Sequence, residues 1–345
     1  MSYSPVKFIP IFKERIWGSD CLKTLFNKDL PAGKRIGESW ELAELPANCS
    51  IIADGPWAGV TLRQMLNKHG RDMGFTQRQC DCPFGLLIKF LDAGDVLSVQ
   101  VHPDEKACQM FPGAQMKTEC WYVLQARPEA VIYRGLKPGI SREHLEKALK
   151  KANLEQMMQI YPAQKGDLHF LPAGTLHALG AGVVIAEIQT PSDTTFRLYD
   201  WNRIDEHGRG RELHVEQALA SIHYTDTPPA EESHDEVNVV DDSSSGLLSI
   251  GALLGRINLL IDCPYFSVGH LSTAPEEKRQ FELAFPVVMI VLAGGGMIGN
   301  TRQPQFACRF DPGDTLLLPT MERGFIATEQ SGECLLVCLG PKKVP

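Results

Sequence analysis

Short runs of continuous or alternating apolar residues, divided by Gly, Pro or Asp, dominate the chain after residue 85. This pattern is typical of β-strands, and it returns in the last third of the chain after a polar interval. The predicted strands lie at 86–91, 96–101, 120–124 and 130–133, within 167–199, and at 286–292, 315–318 and 334–339. The 30 Gly and 23 Pro also favour short strands and turns over long helices. The pattern therefore predicts a mainly β protein.

Helical spacing of apolar residues is found in only a few places. It occurs at 61–69, 141–160 and 215–222. In the second of these stretches Ser141 is a typical N-cap residue, and Leu145 and Ala148 fall on one helix face. We therefore expect a few helices inserted among the strands or flanking them.

A polar segment divides the chain into two predicted domains. Residues 225–246 contain Pro-Pro, Glu-Glu, Asp-Asp and Ser-Ser-Ser, a composition typical of a loop or linker. We expect one domain over 1–224, with its helical part at 141–160, and a second domain over 247–345. A chain of 345 residues is consistent with two domains.

A short internal repeat links the two predicted domains. The segment from Gly166 to Pro172 resembles the segment from Gly313 to Pro319 in spacing and apolar content. Five residues beyond the proline, the first copy has His177 and the second has Gly324. One short match leaves duplication as a hypothesis, which predicts two similar barrels, the second without a metal.

Composition and charge exclude several classes of protein. The net charge of −8 makes nucleic acid a poor partner, and no apolar run reaches the ~20 residues of a membrane span. The N-terminus lacks the basic and apolar stretches of a signal peptide. The ten scattered cysteines contain no CxxC motif, as expected of reduced thiols. We therefore expect a cytoplasmic protein, monomeric or homodimeric, with a small-molecule partner and no nucleic-acid or membrane partner.

Two segments have the spacing of a metal site built on strands. Gln100 and His102 are two residues apart, so their side chains share one strand face, and Gly174 precedes His177 by three residues. Both segments resemble cupin motifs, with Gln100 in place of the first usual histidine. Glu119 is a candidate for the missing carboxylate. Such ligands suit a divalent ion such as Zn²⁺, with a position left open for water or substrate.

Several longer segments carry a more specific resemblance. They are IGESWE at 36–41, LSVQVHP at 97–103, KTECWY at 117–122, AGTLHA at 173–178 and EIQTPSDTTFRLYD at 187–200. Together and in this order they resemble the type I mannose-6-phosphate isomerases in their short bacterial form. The resemblance implies two cupin or jelly-roll barrels, the first of them catalytic. It also implies interconversion of mannose 6-phosphate and fructose 6-phosphate through a cis-enediol(ate).

The resemblance also implies roles for individual residues. It implies one Zn²⁺ per chain, held by Gln100, His102, Glu119 and His177. It further implies that Arg197 is the active-site arginine and that Lys117 and Glu187 line the pocket.

Reasoning from the residues leaves several assignments open. The group that moves the proton could be Lys117, Glu187, His177 or a metal-bound water. Phosphate contacts are expected from a set of cations and hydroxyls, of which Arg203 and Ser39 are further candidates. The favoured members of that set are Arg197, Lys117, Ser98 and Lys89.

Two other functions compete with the isomerase. One is another metal-dependent cupin enzyme, such as a dioxygenase, which would consume oxygen. The other is a regulatory cupin that binds a sugar phosphate without turning it over.

Overall fold

The structure is a computed structural model that describes residues 4–204, 207–224 and 257–340. Its elements are mostly strands, which confirms the predicted mainly β class. The predicted linker at 225–246 lies outside the described residues. No helix in the described ranges is both long and apolar enough to cross a membrane.

The elements are numbered in chain order. The strands before residue 205 are β1 (Val6–Lys7), β2 (Ile11–Ser19), β3 (Ile36–Leu42), β4 (Glu44–Leu45), β5 (Asn48–Cys49), β6 (Leu87–Ala93), β7 (Val99–Val101), β8 (Glu119–Ala126), β9 (Val131–Leu136), β10 (Met158–Pro162), β11 (Leu168–Leu171), β12 (His177–Leu179), β13 (Val183–Gln189) and β14 (Phe196–Tyr199). The strands after residue 256 are β15 (Ile257–Asp262), β16 (Phe266–Thr273), β17 (Lys278–Leu283), β18 (Val287–Ala293), β19 (Gly296–Asn300), β20 (Cys308–Phe310), β21 (Thr315–Leu318), β22 (Met321–Thr328) and β23 (Gly332–Leu339). The α-helices are α1 (Cys21–Phe26), α2 (Leu62–His69), α3 (Gln77–Asp81), α4 (Glu105–Met110), α5 (Arg142–Lys151) and α6 (Val215–Ser221).

The larger strands form four sheets, here called sheets 1 to 4. Sheet 1 has the strand order β11-β8-β13-β6-β3-β2, and sheet 2 has the order β10-β9-β12-β7-β14. Sheet 3 has the order β1-β21-β18-β23-β16-β15, and sheet 4 has the order β17-β22-β19-β20. All pairings within these sheets are antiparallel, for example Glu187 with Lys89 and Phe281 with Gly324.

The two pairs of sheets have matching strand orders. The series β11-β8-β13-β6-β3 of sheet 1 corresponds to β21-β18-β23-β16-β15 of sheet 3, and β10-β9-β12-β7 of sheet 2 corresponds to β20-β19-β22-β17 of sheet 4. The repeated segments found in the sequence fall on equivalent strands, β11 and β21. This agreement supports the duplication hypothesis over the length of both sheets.

Sheet 1 is buried on both faces, which explains its continuous apolar runs. Leu91 and Ile185 face sheet 2 and pack with Ile132 and Leu179 in one core cluster. On the opposite face, side chains of sheet 1 such as Ile188 pack with side chains of sheet 3 in the largest core cluster. The chemistry-bearing positions therefore lie between sheets 1 and 2, and sheet 3 supports them from behind.

The helices close the outer face of sheet 2. α5 and α6 pack Leu145 and Leu219 against β7 and β12. The helical prediction for 141–160 extends too far: α5 ends at Lys151, a short 3₁₀ turn follows, and Met158 begins strand β10. β10 is an edge strand of five residues that closely follows α5, so its alternating apolar residues Met158 and Ile160 were included in the helical stretch.

The N-terminal strand crosses from one pair of sheets to the other. Val6 and Lys7 of β1 pair with Leu317 and Leu316 of β21 in sheet 3. Nζ of Lys7 also contacts Asp314 Oδ2 at 2.5 Å. The first residues of the predicted 1–224 domain are therefore attached to the sheet of the predicted second domain.

Candidate metal centre

Four side chains form one row across the inner face of sheet 2. His177 lies opposite Arg134 on one side and Gln100 on the other, and Gln100 lies opposite Arg197. Directly opposed residues of antiparallel strands project to the same face. The row Arg134, His177, Gln100 and Arg197 therefore faces sheet 1, and two of the four proposed ligands occupy its centre.

The remaining two proposed ligands reach the same place from other positions. His102 follows the end of β7, and Glu119 begins β8 in sheet 1. Nε2 of His102 is 3.4 Å from Glu119 Oε2, and Nε2 of His177 is 3.3 Å from Glu119 Oε1. The side-chain amide nitrogen of Gln100 lies 3.4 Å from His177 Nε2. His102, Glu119 and His177 offer ligand atoms that all lie within 4.8 Å of one another.

Both histidines are held with Nε2 turned towards this point. Nδ1 of His102 is 2.9 Å from the carbonyl oxygen of Thr194, and Nδ1 of His177 is 2.9 Å from the carbonyl oxygen of Thr175. A carbonyl can only accept, so Nδ1 of each ring carries the proton and Nε2 presents a lone pair. Such a partner behind the ring is typical of metal-binding histidines. Sequence reasoning missed these carbonyls because any residue type can supply one.

The donor atoms are arranged to bind a cation rather than to form hydrogen bonds with one another. Nε2 of His102 and Oε1 of Glu119 are buried and make no hydrogen bond within the described part of the chain. Leaving such groups unsatisfied costs about 1–3 kcal/mol each, and more for a charged group. The residues present therefore fit a divalent metal bound between them.

Burial and neighbouring charges keep the donors in the protonation states that a metal needs. Burial, helped by the Lys117 ammonium, lowers the pKa of His102 to about 4, and burial likewise lowers the pKa of His177. Burial alone would raise the pKa of Glu119, but Lys117 and the two histidines outweigh it and hold this pKa well below its usual range. At neutral pH the site therefore offers two neutral imidazoles and one carboxylate.

A second group of charges lies beside the donors on sheet 1. Nζ of Lys117 is 2.9 Å from Glu119 Oε2 and 3.8 Å from Glu187 Oε1. Glu187 Oε1 is also 3.0 Å from Nζ of Lys89, and its Oε2 accepts a 3.1 Å hydrogen bond from Trp121 Nε1. Burial alone would lower the pKa of Lys117, but Glu119 and Glu187 raise it. Lys117 is therefore a buried cation next to the donors.

Arg197 lies at the other side of the donors, next to Ser98. Its Nε donates to Ser98 Oγ at 3.3 Å, and its Nη1 donates to the Glu212 carbonyl at 2.8 Å. Burial and the nearby Arg211 lower its pKa. Arg203 and Arg211 both pair with Asp200, which leaves this edge of the site rich in guanidinium groups.

The structure decides three positions that the sequence left open. Glu187 and Arg197 lie on different sheets, because β13 of sheet 1 ends at Gln189 and Arg197 lies on β14 of sheet 2. Ser39 is not near the donors: its hydroxyl contacts Glu41 on the opposite face of sheet 1. Lys89, by residue type more often a surface side chain, is buried at 4% exposure.

The other proposed residues lie where a shared site requires them. The structure brings together Gln100, His102, Glu119, His177, Lys117, Glu187, Lys89, Ser98 and Arg197. Three tryptophans of this region, Trp17, Trp40 and Trp121, are buried at 4%, 1% and 1% exposure. Packing accounts for much of their surface.

Comparison with known proteins agrees with this geometry. Residues 6–133 match the family described as phosphomannose isomerase type I, catalytic domain. The mannose-6-phosphate isomerase ManA of Bacillus subtilis is 32% identical over 337 residues, which cover 97% of this chain and 99% of that protein. The mannose-6-phosphate isomerase of Streptococcus mutans is 33% identical over 328 residues, covering 93% of this chain and 96% of that protein.

Solved structures show the same fold. The crystal structure of the B. subtilis mannose 6-phosphate isomerase matches with a TM-score of 0.76 and 27% identity, over 98% of this chain and 100% of that one. A mannose 6-phosphate isomerase bound with zinc and yttrium matches in fold, with a TM-score of 0.71 and 14% identity over 98% of this chain and 100% of that one. From its sequence and its fold, the chain belongs to the type I mannose-6-phosphate isomerase family.

Proposed function

We propose that this protein is a metal-dependent aldose-ketose isomerase that interconverts mannose 6-phosphate and fructose 6-phosphate. The observation that carries the proposal is the buried His102–Glu119–His177 cluster with its unsatisfied donor atoms. The relatives that cover nearly the whole chain bear the name of this activity.

The metal would be held by His102, His177, Glu119 and the side-chain amide oxygen of Gln100. The amide can turn its oxygen towards the ion, because the two ends of the group are nearly interchangeable in shape. Two imidazoles, a carboxylate and an amide suit Zn²⁺, which we propose as the resident ion. When bound, it would polarise the sugar carbonyl as a Lewis acid.

The reaction moves one proton between neighbouring carbons. A base removes the proton from C2 of mannose 6-phosphate to give a cis-enediol(ate), and the protonated base then delivers a proton to C1, either the one it removed or one exchanged with solvent. Meanwhile the proton of the C2 hydroxyl passes to the oxygen on C1. Glu187 is the carboxylate next to the cluster that is not among the proposed ligands, so we assign the carbon proton transfer to it. Lys117, held as a cation, stabilises negative charge on the sugar oxygens.

The phosphate group is assigned to the arginine side of the site. Arg197 lies in the same row as the proposed ligands Gln100 and His177, and the Ser98 hydroxyl lies next to its guanidinium. Gripping the phosphate there would position C1 and C2 at the metal. Lys89 is tied to Glu187, so its contribution would be to orient that carboxylate rather than to contact phosphate.

The remaining expectations extend the same proposal. We place the protein in the cytoplasm, as a monomer or homodimer with a sugar phosphate as its small-molecule partner. We also propose that residues 1–224 form the catalytic cupin domain and that residues 247–345 form a jelly-roll domain that binds no metal.

A coupled assay tests the function directly. Purified protein is incubated with mannose 6-phosphate, and fructose 6-phosphate is followed with and without a chelator. We expect turnover that stops on chelation and returns with Zn²⁺. Folded, metal-loaded protein without turnover would refute the assignment.

Two variants test the assigned roles. Arg197→Met is expected to lower kcat/KM by about 10- to 100-fold, mostly through KM, because a charged hydrogen bond contributes about 1.5–3 kcal/mol. Glu187→Gln is expected to keep the metal but to lose exchange of the substrate C2 proton with deuterated solvent. A Glu187→Gln enzyme that still exchanges this proton at the native rate would remove Glu187 as the base.

A further inference from the structure

Arg134 is a buried cation that the proposed reaction does not use. It lies on β9 directly opposite His177, at the end of the row away from Arg197. Its side chain therefore enters the space between sheets 1 and 2, and the residue is only 4% exposed. The guanidinium carbon sits 4.8 Å from the centre of the Tyr161 ring.

No carboxylate of the described residues neutralises this guanidinium. Within residues 4–204, 207–224 and 257–340, Arg134 forms no ion pair, and its Nε is buried without a hydrogen-bond partner. The nearby aromatic groups add no negative charge: Tyr161 donates its hydroxyl to Gln159, and His169 meets the Tyr161 ring edge-on at 6.1 Å between centroids. The stacking on Tyr161 offsets part of the burial cost.

A buried, unpaired charge is expensive, so a site that retains one is suited to a ligand of opposite charge. A guanidinium presents its N–H groups in a planar fork that matches the oxygens of phosphate or sulfate. We propose that Arg134, backed by Tyr161, binds a free inorganic oxyanion of phosphate size at a site separate from Arg197.

The geometry of the row supports two separate sites. His177 and Gln100 stand between the two arginines, and neighbouring strands are about 4.8 Å apart, so the two arginine backbones are about 14 Å apart. Arg197 donates hydrogen bonds to Ser98 and to the Glu212 carbonyl, whereas Arg134 stacks on the Tyr161 ring and makes no hydrogen bond or ion pair with its side chain in the described part of the chain. At this separation, one phosphate group would contact both guanidinium groups only if the two side chains extended towards each other.

Thermal unfolding of the metal-loaded protein, freed of excess metal, tests the proposal. Inorganic phosphate is titrated into the native protein, Arg134→Met, Arg197→Met and the double variant. The double variant measures the general stabilising effect of phosphate as a solute. We expect Arg197→Met to keep a saturable rise in Tm of about 3 °C or more over that baseline, and Arg134→Met in the Arg197→Met background to abolish it.

Controls separate a lost site from a lost fold. Arg134→Lys keeps the positive charge but lacks the forked guanidinium, and we expect a smaller phosphate-dependent rise in Tm. Arg127→Met removes a charge at the start of the loop after β8, outside the row of sheet 2, and we expect an unchanged response. Without phosphate, Arg134→Met should unfold at or above the native Tm, because it removes an unpaired buried charge.

Two results would overturn the inference. One is an Arg197→Met protein with no phosphate response above the double variant, which places all anion binding at Arg197. The other is a KM for mannose 6-phosphate that rises tenfold or more in Arg134→Met in phosphate-free buffer, which makes Arg134 a substrate contact. Because unfolding is the main readout, a failure of this inference is distinguishable from a failure of the proposed isomerase activity.

Discussion

The space between sheets 1 and 2 can be compared position by position with the space between sheets 3 and 4. Gln100 lies opposite His177 on β7 and β12, and Phe281 lies opposite Gly324 on the corresponding strands β17 and β22. Two residues further along, His102 corresponds to Leu283. Every polar donor in the first space thus has an apolar residue or a glycine as its counterpart.

The carboxylate position follows the same rule. Glu119 lies opposite Leu171 on β8 and β11, and Val287 lies opposite Leu318 on the corresponding strands β18 and β21. Phe281, Leu283 and Val287 all belong to one apolar cluster.

The void left between sheets 3 and 4 holds only ≈ 20 Å³ and has apolar walls. The Phe281 ring fills the space beside Gly324, where even an added Cβ would come within 2.4 Å of it. The same arrangement of strands can therefore enclose either a cluster of polar metal donors or a packed apolar core. A donor cluster leaves unsatisfied polar atoms that need a metal, whereas an apolar cluster stabilises the fold without one. Sheet 3 packs against the face of sheet 1 that is turned away from the metal donors.

The largest expected effect is the loss of a metal donor. His177→Ala should lower metal affinity by more than about 100-fold and kcat/KM by more, because changes behind metal ligands alone cost 10- to 100-fold. Metal content after dialysis and the coupled assay measure both. The matched control is His270→Ala, a half-buried histidine of sheet 3, which should retain metal and activity. Equal losses in the two variants would contradict the comparison.

The equivalent pair Gln100 and Phe281 should respond in opposite ways. Phe281→Ala is expected to lower the free energy of unfolding by about 3–5 kcal/mol, through lost burial and a larger void. Its kcat/KM should change less than twofold. Gln100→Ala should weaken metal binding but change the stability of the metal-free protein by less than about 1 kcal/mol. Urea unfolding checks both, and a Phe281→Ala chain as stable as the native one would break the contrast.

The smallest expected effect is a pH dependence at the junction of the two regions. Burial lowers the pKa of His270, which stacks on Tyr122 of sheet 1 with ring centroids 6.0 Å apart. The unfolded chain therefore binds more protons than the folded one below the ordinary histidine pKa of about 6.5. The stability present above that pH is lost as pH falls through the folded pKa.

Urea unfolding of native protein and His270→Gln between pH 7 and pH 5 measures this contribution. The variant should lose less stability on acidification, by under about 0.5 kcal/mol, because partial exposure screens the charge. A steeper loss in the variant than in the native protein would reverse the assigned sign.

Much of the site could be predicted from the sequence because its key spacings are local. Gln100 and His102 share a face through strand geometry alone, and His177 stands at a fixed distance from a glycine and a proline. The mainly β class followed from the same alternation. The edge strand β10 was missed because it is only five residues long and closely follows the helical segment.

Only the tertiary structure decided which distant residues meet. Register between β7, β9, β12 and β14 brings Arg134 and Arg197 into one row with the ligands, and no local spacing encodes a register between strands that are far apart in sequence. The pairing of Glu187 with Lys89 and Trp121 likewise depends on neighbouring strands of sheet 1. The sequence by itself determined the types of the donor residues and the strand faces they occupy, because strand geometry relates residues that are only a few positions apart in the chain. Packing between sheets decided the charges and partners around them, because these depend on contacts made only when the chain folds.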